Sequence, residues 1–278
     1  MRRRYKLTRR GMMTLICLAV LLTCALLLGL QKAQDKDIAR QNEHYRSLRT
    51  AAALPSPAAT PLPQPDDETL RIPLPTEPPR DGSFAMLSAI NPDVCGWLTA
   101  GAIDLPVVHR INDNETYLSV NLSGEESPGG TLFVDGFNRL YPADTLTVIY
   151  GHNMHSGDMF GSLSLYLDPE YMAGAPIVQF DTLYGPGKYV PFAVFQASVA
   201  DVDIRQFQPT VEEFNRLTDL CRALSAYDCG VDVRFGDRLL ALVTCDGKDD
   251  ERLFVLCRAL RDGESETDFV PAPKTSEP

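Results

Sequence analysis

The sequence predicts a mainly β fold: a closed barrel interrupted by one amphipathic helix and preceded by an N-terminal transmembrane helix. Three observations carry this expectation. Seven short runs rich in β-branched and aromatic residues, each bounded by Gly, Asn, Asp or Pro, recur at hairpin-like spacing, the pattern of an all-β barrel. One segment, from Thr210 to Leu224, repeats apolar residues at helical spacing. Gly11 to Leu30 is uncharged and almost wholly apolar, long enough for a bilayer core of about 30 Å at about 1.5 Å per residue.

Residues 1–10 hold six basic residues and no acidic one, a flank that places the N-terminus in the cytoplasm and everything after Leu30 outside. A cleaved signal peptide would have an apolar region of about 7–15 residues ending in a small-residue cleavage site. Here Leu26 to Leu30 runs straight into Gln31 and Lys32, so residues 11–30 read as an uncleaved anchor.

The chain has 278 residues, 44% of them hydrophobic, enough for one large core. Its 26 basic residues include the six before residue 11, whereas all 37 acidic residues follow residue 30, so the segment beyond the anchor is strongly acidic. Nucleic-acid binding needs clustered Lys and Arg against phosphate, and this balance disfavours it.

Residues 31–82 form a juxtamembrane and Pro-rich linker. Gln31 to Thr50 is polar and able to continue as a helix, and from Ala51 to Gly82 prolines dominate, favouring an extended polyproline spacer. The folded domain is expected over 83–263, followed by a disordered tail over 264–278. Phe84, Leu87 and Ile90 stand at helical spacing, and Asn91-Pro92 ends that helix before a second turn carrying Val94, Cys95 and Trp97. The β-rich runs are 103–108, 130–134, 146–150, 177–180, 189–197, 239–244 and 253–257. Thr210 and Glu213 make a capping box for the helix, which turns Phe214, Leu217, Leu220, Cys221 and Leu224 to one side.

Two of the runs end in chemistry. The strand over 239–244 ends on Cys245, a polar turn over 246–250 follows, and Arg252 opens the next strand. The strand over 146–150 ends on Gly151 and His152. Rigid strand ends can hold a thiol, a guanidinium and an imidazole at the mouth of one groove.

Around these residues the chain resembles a class B sortase, a membrane-anchored cysteine transpeptidase of Gram-positive bacteria. The likeness rests on VIYGHNM with MFGSL after it, on VTC followed by Arg252 and RLFVL, and on INPDVCGWL, IDLPVV and DNETYLS upstream. It runs in the family's order from Phe84 to Arg261. The usual Thr-Leu-x-Thr-Cys signature stands here as Ala241-Leu242-Val243-Thr244-Cys245, and the turn from Cys to Arg is shorter than is usual. The resemblance implies an eight-stranded sortase barrel, with N-terminal helices and one helix in the connection before the Cys-bearing strand. It implies that Cys245 attacks a peptide carbonyl in the sorting signal of a secreted protein and forms a thioester. An amine of a peptidoglycan precursor or of a pilin then resolves it.

A free thiol has a pKa near about 8.5, which neighbouring cations lower. His152 can supply that charge and act as general acid to the leaving amine, and Arg252 can hold the oxyanion. Tyr150 and Thr244, beside these groups, are candidates to line the peptide groove, and Asn114 and Leu118 match positions that contact the sorting signal in the family. No cofactor or metal is expected, since His152 and His155 have no carboxylate or thiol close by at ligand spacing. His44 and His109 read as surface residues, Cys95 and Cys257 as buried thiols, and Cys221 and Cys229 could pair across the helix end. A papain-type hydrolase places its Cys before its His, the reverse of the order here. A non-catalytic barrel would have no need to keep His152, Cys245 and Arg252 together.

Overall fold

The computed structural model describes residues 9–52, 82–202, 204, 207, 209–245 and 251–269. The Pro-rich part of the linker, the N-terminal basic segment before Arg9 and the tail from residue 270 lie outside these.

Helix α1 (Arg9–Ala52) is continuous. It contributes to two units, one ending at Asn42 and one beginning at Glu43. In the first unit Leu15, Leu18, Leu22, Leu26 and Leu30 are all exposed, and the helix is long and apolar enough to cross a membrane. The hydroxyl of Thr23 donates to the Ala19 carbonyl at 2.8 Å, so this polar group is satisfied within the helix.

The second unit is the barrel. After helix α2 (Ala85–Ile90) come strands β1 (Val94–Ala100), β2 (Ile103–Val108), β3 (Leu132–Val134) and β4 (Leu146–Gly151). Helix α3 (Pro169–Gly174), β5 (Val178–Thr182), β6 (Lys188–Ser198), helix α4 (Val211–Leu224), β7 (Leu239–Cys245) and β8 (Glu251–Ala259) complete it. The strands close in the order β1-β2-β3-β4-β7-β8-β6-β5, with β5 returning to β1. The pairs β2/β3 and β4/β7 are parallel and the others antiparallel. Pro191, which cannot donate to a ladder, sits where β6 shifts register against β8.

The barrel has eight strands, and the eighth, β1, falls where the sequence suggested a helical turn. Val94, Cys95, Trp97 and Leu98 are all buried, so the alternation that marks a half-exposed strand is missing. Gly96 lacks a side chain because a Cβ there would meet Asp181 O at 2.5 Å and the Phe180 ring at 2.7 Å. Close approach of β5, not a turn, is what requires this glycine.

Two cores flank the site. In one, Phe214, Leu217 and Cys221 of α4 pack with Leu239, Ala241 and Val243 of β7 and Phe195 and Phe254 of β6 and β8. The Thr210 hydroxyl caps α4 by accepting from Glu213 N at 3.2 Å. The carboxylate of Glu213 bonds Arg216 at 2.8 Å, so an ion pair stands where the second half of the expected capping box would be. Leu224, expected on the core face, is exposed at the last residue of the helix.

The other core joins Phe84, Leu87, Val94, Trp97, Val108 and Phe133, and it includes Tyr45 of α1. Arg49 pairs with Asp181 at 3.1 Å and lies 4.1 Å over the Phe84 ring. Residues 43–52, assigned to the linker from their polarity, therefore pack in the barrel unit. At the other end, Glu264 pairs with the fully buried Arg258, and a 3-10 turn over Glu266–Asp268 is capped by Ser265. Residues 264–269 are thus held in place, in contrast to the disordered tail expected from 264 onward.

Candidate active site

The site is assembled by strand register. Parallel pairing aligns Gly151 of β4 with Thr244 of β7, so the next residue on each chain, His152 and Cys245, comes at the same level. Antiparallel pairing then sets Cys245 opposite Arg252 on β8. Because side chains alternate along a strand, positions 239, 241 and 243 share the face of β7 that packs against α4. Of Cys245 only the backbone is described.

The groove has a volume of about 360 Å³ and is lined by His152, Arg252, Asn114, Leu118, Tyr150 and Thr244, among others. The structure therefore brings the expected residues to one place. Its floor is Tyr150, Val243 and Phe254; one wall is the 3-10 turn Thr116–Leu118, and the other holds Val199, Val202 and Ile204 from the β6–α4 connection.

The His152 ring nitrogen Nε2 lies 2.6 Å from the carbonyl oxygen of Leu118. A carbonyl only accepts, so Nε2 carries the proton and donates it to this bond. The bond fixes the ring's orientation and its tautomer. The Leu118 side chain is 43% exposed and lines the groove. Asn114 holds the neighbouring loop: its Oδ1 accepts from Gly136 N at 2.7 Å. The Tyr150 hydroxyl donates to Asp135 Oδ2 at 3.0 Å, and Thr244 is buried.

Sequence reasoning missed Asp135, Glu115 and the three apolar residues of the far wall. Asp135 follows a strand only three residues long, and the wall lies in an irregular connection, so neither carries a periodic signal. Of the histidines, His44 is exposed as expected, but His109 is half-buried at the end of β2. Its Nε2 is enclosed with no hydrogen-bond partner, and burial pushes its pKa down against the opposing pull of Asp135.

Burial also separates the thiols. It raises Cys95 and Cys257 far above the ordinary range, Cys221 to about 12 and Cys229 to about 11. Cys221 and Cys229 are both free, so the contemplated pairing is not formed. A thiol whose ionisation is suppressed by burial is a poor nucleophile.

No family model matches the chain. It is 32% identical over 166 residues to sortase B of Listeria monocytogenes, covering 59% of this chain and 67% of that one. It is 27% identical over 183 residues to sortase B of Staphylococcus aureus, covering 64% and 75% respectively. Among solved structures, a Staphylococcus aureus sortase B–substrate complex matches with a TM-score of 0.68 at 21% identity, over 82% of this chain and 99% of that one. These likenesses define the class, a barrel transpeptidase of the sortase kind, and within that class the chain belongs to the sortase B family.

Proposed function

We propose that Cys245 is the nucleophile of a transpeptidation on the sorting signal of secreted proteins, with His152 as general acid and Arg252 as oxyanion holder. The observation that supports this most is the double register, Gly151 with Thr244 and Cys245 with Arg252, which gathers the three residues from separate strands. The Cys245 thiolate adds to the scissile carbonyl carbon, and the resulting oxyanion is held by the Arg252 guanidinium. The C–N bond breaks, His152 gives its proton to the departing amine, and a thioester remains on Cys245. An acceptor amine then attacks the thioester, loses a proton to His152, and releases the thiolate. The acceptor is an amine of a peptidoglycan precursor or of a pilin. Asn114, Leu118, Tyr150 and Thr244 line the substrate's path.

The apolar part of α1 is the anchor, over residues 11–30, with residues 1–10 in the cytoplasm and the barrel outside. The catalytic domain starts no later than residue 83 and includes the ordered residues to 269.

Mass spectrometry of the full chain in detergent, mixed with a library of sorting-signal peptides, tests the reading. An acyl adduct is expected on Cys245 and none in Cys245→Ala. An adduct on Cys95, Cys221, Cys229 or Cys257 would overturn the assignment.

A further inference from the structure

The carbonyl that bonds His152 stands on a three-residue 3-10 turn, Thr116–Leu118, closed by Leu118 N to Glu115 O at 3.1 Å and Ser119 N to Thr116 O at 3.4 Å. So short a 3-10 segment, with its poorer bond geometry, does not hold its own position well. The side chain beside that carbonyl does more. Tyr117 is the buried residue of the turn, 3% exposed, and packs in the core with Val94, Val108 and Phe133.

At the tip of its ring lies a polar network. The Tyr117 hydroxyl donates to Asp93 Oδ2 at 2.7 Å and accepts from Asn91 Nδ2 at 2.9 Å. The same carboxylate oxygen accepts from Arg110 Nε at 2.8 Å, and the guanidinium lies 5.2 Å over the Tyr117 ring. Burial first, and then the bond to Asp93, push the hydroxyl's pKa up to about 12, so it remains a donor at neutral pH. Asp93 immediately precedes β1 and Arg110 follows β2 by two residues, so the phenol is tied to the ends of two barrel strands. Asn91, Asp93, Arg110 and Tyr117 do not line the groove. Any effect they have on the reaction must pass through the adjacent Leu118 backbone.

We infer that Tyr117, held by Asp93 and Arg110, is a positioning residue for the reaction: it sets the place of the Leu118 carbonyl, and that carbonyl selects the tautomer of His152. The inference rests on the sortase reading of the groove. With the Nε2 proton committed to Leu118, proton exchange with the leaving and entering amines falls to Nδ1. A displaced carbonyl would free the neutral ring to its other tautomer, in which Nδ1 already holds a proton and cannot take one from the entering amine.

The test compares single variants of the full chain at a temperature where circular dichroism shows each one folded. Tyr117→Phe removes only the hydroxyl, and kcat should fall about tenfold with KM kept within about threefold, the pattern of a misplaced catalytic group. Tyr166→Phe is the control: it deletes another buried hydroxyl, bonded to Ala175 O at 3.1 Å and remote from the groove lining, and should keep native turnover. Asp93→Ala should match Tyr117→Phe, whereas Asp93→Asn, which leaves an acceptor oxygen for the phenol, should recover to within about threefold of native. Nitrogen-15 shifts of the His152 ring, identified by the signal lost in His152→Gln, give a readout independent of turnover. The native neutral ring should carry its proton on Nε2, and Tyr117→Phe should show a mixture of both tautomers. Native turnover in Tyr117→Phe, equal losses in Tyr117→Phe and Tyr166→Phe, or an unchanged His152 tautomer would each overturn the inference. If the native chain never acylates Cys245 while the tautomer still shifts in Tyr117→Phe, the positioning stands and the transpeptidase assignment has failed.

Discussion

Cys245 and Arg252 form the last register pair of the β7–β8 ladder, so the two residues stand opposite one another at the end where the strands leave the barrel. Directly opposed residues share a face and approach closely. Arg258, on the same face, pairs with Leu239 at the far end and is fully buried against Glu264. The two arginines therefore have separate duties. Arg252→Lys should keep KM within a few-fold and lower turnover by about 10²–10³, the loss seen when an oxyanion donor is removed. Arg258→Lys should lower the melting temperature instead. Steady-state kinetics and thermal melts on the two variants check this, and exchanged phenotypes would reverse the assignment.

A second prediction concerns the Leu118 carbonyl, which accepts the His152 hydrogen bond. Gly130 lies directly beneath it, in the left-handed region at φ 56°, and a Cβ there would meet Tyr117 O and would come within 2.8 Å of Leu118 O. Gly130→Ala must displace that segment. Turnover should fall by about tenfold or more, because a small misplacement of a catalytic group is costly. Stability should also drop by about 1–2 kcal/mol for the left-handed backbone. Rates measured at a temperature where circular dichroism shows the variant fully folded separate the two effects; unchanged turnover there would mean that the Leu118 carbonyl does not orient His152.

The thiols give a third. With Cys95, Cys221, Cys229 and Cys257 all held protonated by burial, an alkylating probe at neutral pH should modify the native barrel at residue 245 before any other. Peptide mapping after brief exposure reads the order. First labelling at Cys229, the least buried of the four, would contradict it.

Acid should loosen the far end of the barrel. The Arg258 guanidinium holds the Glu264 carboxyl below its ordinary range, and Arg261 does the same for Asp232. A carboxyl lowered in the folded state contributes stability above its unfolded pKa, and that stability is lost as pH falls through the folded value. Asp232 is 71% exposed and screened, so Glu264, at 23%, carries most of the effect. Melting temperature should therefore decline below about pH 4. Glu264→Gln should already melt about 5 °C lower at neutral pH, because it leaves a buried guanidinium short of its partner. A flat acid profile for both chains would count against this account.

Much of this architecture was legible before folding. Seven strands, α4 and the meeting of a His-ended with a Cys-ended strand follow from short apolar runs bounded by turn residues. β1 did not, because it is buried on both faces and has Gly96 in the middle, so it presents neither alternation nor a continuous apolar run. The packing of Tyr45 and Arg49 was hidden as well. Both belong to a polar helix whose few inward residues are too widely spaced to stand out. In the groove, the polar ends of strands announced His152, Cys245 and Arg252, whereas the Leu118 carbonyl is a backbone atom and has no letter in a sequence.

The parallel pairing of β4 with β7 has a kinetic consequence. The strands that bring His152 and Cys245 together are neighbours in space, yet β5, β6 and α4 all lie between them in the chain. Loop closure of that length is among the slower events of folding, and local hairpins form well before it. The β7–β8 hairpin can form early and place Cys245 across from Arg252, but the imidazole arrives only when the two halves of the barrel close. Under the proposed mechanism, a molecule opened along that single seam would keep the β7–β8 hairpin and still hold an unreactive thiol, so completion of the fold would itself arm the enzyme.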